Sequence, residues 1–224
     1  MRGGRCWEKV EEDFNFPIGP IIGPLVIAGI ALIEEKIHEL VSIGVKDSKL
    51  LSPASRERLA VQIERIVDRH VSVEITPRQI DEVVMKAKRL QKLNLLEAKA
   101  MAEVISKLDP DIAYVDASDV KAERFGQWIV ENLPSKIKVV SEHHADRTYP
   151  VVSAASIMAK TRRDNIVKKL REEYGDFGSG YVADPKSMAF IKDWLKRFGS
   201  PPPIVRKSWK PFRELEKSLA QTNL

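Results

Sequence analysis

Two carboxylates and their surroundings are the residues most suited to chemistry. Asp116 ends the apolar stretch Ile112-Ala113-Tyr114-Val115-Asp116, and Asp146 follows Glu142-His143-His144-Ala145. A carboxylate at the end of a buried strand is costly unless a cation or a set of donors meets it. Two of them ahead of the small-residue run Val151-Val152-Ser153-Ala154-Ala155-Ser156-Ile157-Met158-Ala159-Lys160 suit metal-assisted work on a phosphodiester. Hard oxygen ligands hold Mg²⁺ or Mn²⁺, and a pair of such ions can activate a water and stabilise a leaving oxygen. Taken singly, Asp116 reads as a strand-end cap, and Asp146 as the ion-pair partner of Arg147 or a neighbouring histidine. Asp119 reads as a turn or helix-capping residue. His143 and His144 are assigned supporting roles, because hard ions prefer oxygen.

The elements that must position these groups follow from periodicity and punctuation. Residues 25–33 are short, rich in β-branched residues and preceded by turn residues, which predicts a buried strand. Ser52 as N-cap and Pro53 at the first helical position predict a helix to about residue 68, with Leu59, Ile63 and Ile66 on one face. Residues 71–75 alternate as a strand. Pro77 opens a helical region to residue 108, broken near Asn94. Strands are expected at 112–115 and 137–140 with a helix at 122–131 between them, then a helix at 153–174, a loop at 175–185 and a helix at 187–198. Pro201-Pro202-Pro203 reads as a linker to a short basic helix ending near residue 219. Strands mixed with helices give an α/β domain with a mixed sheet. The helices after Asp184 form a small C-terminal appendage.

Composition narrows the setting. In 224 residues, 43% are apolar and 31% charged, enough for a sizeable core and a well-solvated surface. Cys6 is the single cysteine, which points to a reducing, cytoplasmic compartment. The apolar run at 25–33 is too short to span a bilayer, and the Pro and Gly residues before it do not resemble a signal peptide. No membrane association is expected, and the chain is expected to be a monomer. The net charge of +5 is concentrated: from Lys186 onward nine Lys and Arg face three acids. Phe190, Trp194, Phe198, Trp209 and Phe212 are interleaved with those cations. Such a tail suits either a phosphate backbone or an ordinary solvated helix face.

Six motifs in order carry a resemblance. They are Ile22-Gly23-Pro24-Leu25-Val26-Ile27-Ala28-Gly29, Val45-Lys46-Asp47-Ser48-Lys49-Leu50, Tyr114-Val115-Asp116-Ala117-Ser118-Asp119-Val120, His144-Ala145-Asp146, the run from Val152 to Lys160, and Gly178-Ser179-Gly180-Tyr181-Val182-Ala183-Asp184-Pro185. Between about Gly19 and Trp209 the chain resembles ribonuclease HII, the type 2 ribonuclease H of archaea and bacteria. The resemblance implies a ribonuclease H-like mixed five-stranded sheet flanked by helices. Residues 1–185 would be the catalytic domain, with 1–20 atypical, and 186–224 the basic C-terminal helical region. It implies cleavage of RNA in RNA·DNA hybrids and at single ribonucleotides embedded in DNA, with Mn²⁺ or Mg²⁺ held by Asp116 and Asp146. Tyr181 would read the junction where RNA meets DNA. Ser48 and Lys49 would contact phosphate, and Lys160 and Arg163, with Arg162 beside them, would face the backbone. Asp47 would orient its loop.

The N-terminus departs from the family. There the family carries Asp-Glu-Ala-Gly followed by Arg- or Lys-Gly, which supplies half of the metal-binding acids and a backbone approach to the ribose. An ungapped count back from Ile22-Gly23-Pro24 finds Phe14-Asn15-Phe16-Pro17-Ile18-Gly19-Pro20, with no acid and only Gly19 of the glycine pair. Two registers compete. An inserted Ile18-Gly19-Pro20 would place Glu11 and Glu12 on the acid pair, but would leave Phe residues where glycine backbone is needed. The favoured alternative is an N-terminus altered by divergence or sequence error, with Glu11-Glu12-Asp13 a solvated acidic turn. A chain short of acids would be a catalytically impaired hybrid-binding protein, and a DNA-cutting nuclease of the same fold is the third reading. At the other end, Gln221-Thr222-Asn223-Leu224 resembles the opening of a sliding-clamp binding box.

Overall fold

The computed structural model describes residues 19–45, 51–85 and 91–222. Strand β1 (Leu25–Ala31) is followed by a 3₁₀ turn (Glu34–Lys36) and helix α1 (Ile37–Ser42). Next come α2 (Pro53–Ile66), β2 (Arg69–Ile75), α3 (Pro77–Met85), α4 (Gln91–Leu108), β3 (Ile112–Asp116) and α5 (Ala122–Glu131). Strand β4 (Lys138–Glu142), α6 (Ala145–Thr148), α7 (Pro150–Tyr174), α8 (Pro185–Phe198) and α9 (Lys210–Thr222) complete the order. Among the described residues the strands form two pairs. β1 and β2 are antiparallel, from Leu25↔Ile75 to Ala31↔Arg69, while β3 and β4 are parallel, from Ile112↔Lys138 to Asp116↔Glu142. The architecture is therefore mixed α/β, as expected.

The unbroken apolar run of β1 has a physical cause: both of its faces are covered. Leu25, Ile27 and Ala31 join a core with Ala100, Val104 and Leu108 of α4, whereas Ala28 and Ile30 pack with Ala60 and Ile63 of α2 and Ala154 and Ile157 of α7. Successive strand side chains point to opposite faces, so a strand buried on both needs apolar residues throughout. Gly29 is the point of closest approach, since a Cβ there would stand 2.8 Å from Leu108 Cδ1. Strand β2, covered on one face, alternates instead, with Val71, Val73 and Ile75 turned to the core. Helix α4 joins the halves. Its Ala100, Val104 and Leu108 serve the β1–β2 core, and its Ala98, Ala102 and Ile105 pack against Ala113 and Val115 of β3 and Phe125 and Ile129 of α5.

The helix predictions hold closely at Ser52, whose hydroxyl accepts from Ser55 N at 3.1 Å, and at 122–131. Three local differences carry reasons. The division expected near Asn94 falls earlier, between the end of α3 at Met85 and the start of α4 at Gln91; Asn94 lies inside α4, and its amide donates to Asp119 Oδ2 at 3.1 Å. Helices α1 and α6 are too short to show a period. The Pro201-Pro202-Pro203 segment is anchored at its end: Pro202 is buried and its O accepts from Val205 N at 3.1 Å, Ile204 O accepts from Gly23 N at 2.8 Å, and Val205 bridges to Ile22. The C-terminal region is helical, yet Ile191, Val205, Trp209 and Phe212 share one core with Ile21, Ile22 and Ile27. Asp81 of α3 fastens it, accepting from Lys207 N at 3.0 Å and Ser208 N at 2.8 Å. Trp209 and Phe212 are thus spent on the core, and the aromatics left at the surface are those of α8, where Trp194 and Phe198 lie 4.5 Å apart between centroids and Phe198 is 55% exposed.

Candidate active site

Strand β3 delivers Asp116 through its alternation. With Ala113 and Val115 committed to the α5 core, Tyr114 and Asp116 face the other way, toward α6 and α7. The chain leaves β4 and turns through His144, whose φ of 59° is the left-handed conformation that lets α6 start at once. Ala145 N then donates to Asp116 Oδ1 at 3.2 Å, and the next residue, Asp146, sits in the first turn of α6 only 5% exposed. The two acids singled out from sequence are thereby brought together. His143 Nε2 lies 3.2 Å from Val120 O, so His143 and His144 shape the turn rather than face an ion. Across the ladder from Asp116, Glu142 accepts from the Tyr149 hydroxyl at 3.0 Å. That hydrogen bond, then burial, pushes the Tyr149 phenol above its usual range.

Asp119 holds the turn before α5. It accepts from Lys121 N at 2.8 Å, from Asn94 and from Arg124 Nη2 at 2.5 Å. Burial alone would raise its carboxyl, but those donors outweigh it and hold the group below the usual range.

Around Tyr181, several residues of the Gly178–Pro185 motif have visible tasks. Asp184 caps α8 by accepting from Lys186 N at 3.0 Å and holds the loop by accepting from Ser179 N at 2.6 Å. The bonds to Ser179, then that from Lys186, keep its carboxyl below the ordinary range. Ser187 bridges the loop, accepting from Gly180 N at 2.9 Å and donating to Phe177 O at 2.8 Å. Gly180, at φ +79°, turns its carbonyl to accept from Ile21 N at 2.8 Å and Ile22 N at 3.0 Å. Tyr181 therefore pairs with Pro20 as an isolated bridge, next to Gly19. Its ring is 40% exposed, and the Arg163 guanidinium lies 4.6 Å from the centroid. Arg163 also donates to Ser179 O at 3.3 Å, and burial lowers its pKa. Lys160, one turn earlier on α7, is half-buried. Arg162 is drawn away to Glu74 at 2.8 Å. Glu11, Glu12, Asp47, Ser48, Lys49, Asn223 and Leu224 lie outside the described residues.

Two charged residues beside this loop were missed in sequence. Arg206 is 2% exposed, its Nε donates to Gly23 O at 3.1 Å, and its guanidinium lies 5.1 Å from the centroid of the Trp209 ring. Burial, then repulsion from Arg163, lowers its pKa to about 10, against attraction from Glu97, Tyr181 and Asp81. Glu97 of α4 is half-buried; burial pushes its carboxyl up, opposed by a hydrogen bond with Ser118 and by Arg206. The available signal for Glu97 was an acid inside the apolar run Leu95-Leu96-Glu97-Ala98; Arg206, in a presumed linker, gave none.

The donor chemistry fits a hard divalent ion. Among the described residues no group of three or more Asp, Glu, His or Cys side chains forms a metal cage. Mg²⁺ is commonly held by one or two carboxylates together with substrate phosphates and water, and Asp116 with Asp146 offer that set.

An α/β domain that presents a carboxylate at a strand end and an arginine-backed tyrosine on an exposed loop has the groups a nucleic-acid hydrolase uses. The comparisons with known proteins agree. The family model for ribonuclease HII matches residues 18–212. Ribonuclease HII of Pyrococcus abyssi is 42% identical over 208 residues, 92% of this chain and 90% of that one. The solved structure of ribonuclease H2 from Pyrococcus horikoshii superposes with a TM-score of 0.83 at 40% identity, covering 92% of this chain and 95% of that one. A complex of PCNA with ribonuclease HII from Archaeoglobus fulgidus gives 0.77 at 42% identity, covering 88% and 91%. The chain belongs to the ribonuclease HII family. That family is one of ribonuclease H endonucleases. Among the described residues no helix is long and apolar enough to cross a membrane.

Proposed function

We propose that the chain hydrolyses the RNA strand of RNA·DNA hybrids and cuts at ribonucleotides embedded in duplex DNA, with Mn²⁺ or Mg²⁺ at Asp116 and Asp146. The observation that carries this reading is the 3.2 Å hydrogen bond from Ala145 N to Asp116 Oδ1, which ties the turn carrying the second acid to the first. A bound divalent ion would supply a nucleophilic water at neutral pH and neutralise charge on the phosphate. The protein's part is geometric. Asp116 and Asp146 offer anionic oxygens at the end of a rigid strand. Tyr181 presents an exposed ring face to a sugar or base at the junction. Gly19, against Tyr181 and Arg206, leaves room for backbone to pass. Lys160 and Arg163 add positive potential along the same helix. Attack on the 5′ side of the ribonucleotide leaves 5′-phosphate and 3′-hydroxyl ends. Glu11 and Glu12, and Ser48 and Lys49, are the candidates for the remaining acids and phosphate contacts.

The complex from Archaeoglobus fulgidus supports a sliding clamp as a partner, met through Gln221-Thr222-Asn223-Leu224, whose first two residues end α9. We place the enzyme in the cytoplasm as a monomer. The test is incubation of purified protein with Mn²⁺ and a duplex carrying one ribonucleotide. Cutting that Asp116→Asn reduces by at least about a hundredfold supports the reading. Tight binding without cutting would mark an impaired binder, and equal cutting of an all-DNA duplex a different nuclease.

A further inference from the structure

Asp146 rides on a helix too short to hold its own direction. α6 has four residues, well under the length at which a helix sustains itself, so what lies at its two ends decides where it points. At the entry, His144 turns left-handed and Ala145 N donates to Asp116 Oδ1. The exit is Tyr149. Its N donates to Ala145 O at 2.8 Å, and its O accepts from Val152 N at 3.0 Å and Ser153 N at 3.1 Å, so one residue closes α6 and opens α7. Pro150 follows, which disfavours helical backbone at Tyr149 and keeps it extended, at φ −111° and ψ 116°.

The Tyr149 side chain turns back over both strands. Its ring centroid lies 4.4 Å from that of Tyr114 of β3, and its hydroxyl donates to Glu142 Oε1 of β4 at 3.0 Å. Both anchors belong to the acid site. Tyr114 stands two residues before Asp116 and so on the same face of β3. Glu142 pairs with Asp116 across the ladder, and Ala117 N donates to Glu142 O at 2.9 Å. Ser141 packs against Gly126 of α5, where an added Cβ would stand 2.9 Å from Ser141 Cβ, which leaves Glu142 facing the Asp116 side. Little of this stabilises the core: Tyr114 is 37% exposed, Glu142 is exposed and Tyr149 is half-buried. A hydrogen bond and a ring contact at a wet rim contribute modestly to folding. They do span the turn that carries Asp146 and the strand end that carries Asp116.

We propose that Tyr149 is a positioning residue: its hydroxyl on Glu142 and its ring on Tyr114 clamp the α6 turn to both strands, and so fix Asp146 relative to Asp116. Tyr149 acts through Asp146 and not on the substrate. The clamp deepens the proposed function and depends on it only for the ion that the two acids would hold.

The test has two arms, both on the full chain. The first reads Mn²⁺ binding without catalysis, by electron paramagnetic resonance of the free ion. Tyr149→Phe keeps the ring and removes the hydroxyl, and is expected to weaken Mn²⁺ binding about tenfold. Glu142→Ala removes the acceptor and should match it, whereas Glu142→Gln keeps a carbonyl oxygen for the phenol and stays within about twofold of wild type. The double variant loses no more than the worse single one, because the two groups act as a unit. In cutting assays of Tyr149→Phe at saturating Mn²⁺, KM for a single-ribonucleotide duplex changes less than about twofold. The second arm is hydrogen exchange of the metal-free protein at residues 145–148. Exchange is expected to quicken by about threefold or more in Tyr149→Phe and Glu142→Ala, but not in Glu142→Gln. Unchanged Mn²⁺ binding in Tyr149→Phe, a rise confined to KM, or a Glu142→Gln loss as large as that of Glu142→Ala overturns the proposal. A wild-type chain that binds no Mn²⁺ would instead sink the proposed function, and the exchange arm would still decide the clamp.

Discussion

Replacing Asp81 should uncouple the C-terminal region from the domain, and the structure fixes how much that costs. The carboxylate is 7% exposed and accepts from Ser208 N at 2.8 Å and Lys207 N at 3.0 Å. Alanine leaves both amides unserved. Ser208 is buried and has no water to turn to, whereas Lys207 is exposed and can recover one. A bond to a charged acceptor is worth about 1.5–3 kcal/mol, so one full loss and one partial loss, less the desolvation that the carboxylate no longer suffers, give about 3 kcal/mol. For a domain of this size that corresponds to a fall of roughly 9 °C in Tm. Asp81→Asn keeps one oxygen in place and should cost about half as much. Urea and thermal denaturation of the full chain at pH 7 measure both. A Tm for Asp81→Ala within about 2 °C of wild type, or equal losses for Ala and Asn, would refute the reasoning. The C-terminal segment would then be held by its apolar contacts alone.

Other expectations follow from single positions. Gly180 combines φ +79° with a would-be Cβ 3.1 Å from Ile22 O, so Gly180→Ala should destabilise by about 1–3 kcal/mol and displace Tyr181, measured by denaturation and by KM for a hybrid. Burial raises the Glu97 carboxyl, so its proton favours the folded chain at acid pH, and that contribution disappears as pH climbs from the ordinary glutamate range through the raised value. Glu97→Gln should flatten that decline in a plot of stability against pH; an unchanged slope would show the carboxyl to be solvated. A Mn²⁺ titration followed by melting should raise the Tm of wild type but not of Asp116→Asn.

Much of the fold was legible because its causes are local. Ser52-Pro53 marks a helix start whatever surrounds it, and the helix at 122–131 shows its apolar stripe in ten residues. The break expected near Asn94 falls before Gln91 instead, because the Asn94 amide is met inside the helix by Asp119 from across the fold. Asp116 stood out because an acid closing an apolar strand is rare unless it has work to do, and Asp146 because it sits in an ordered motif with it. Glu97 and Arg206 did not, because a half-buried Glu in a helix and an Arg after a proline run look like solvated charges until their neighbours are known.

The order of the motifs, the capping signals and the alternation of apolar residues lie in the chain itself, since each is a property of residues a few positions apart. They determined the elements, the family and the two carboxylates. Only the folded molecule decided that Ala145 would hand its N–H to Asp116, that the chain just after Pro203 would lie in the core, and that a buried arginine would donate to Gly23 O. Those outcomes depend on distances between segments far apart in sequence, and distance is set by packing, which no local pattern encodes.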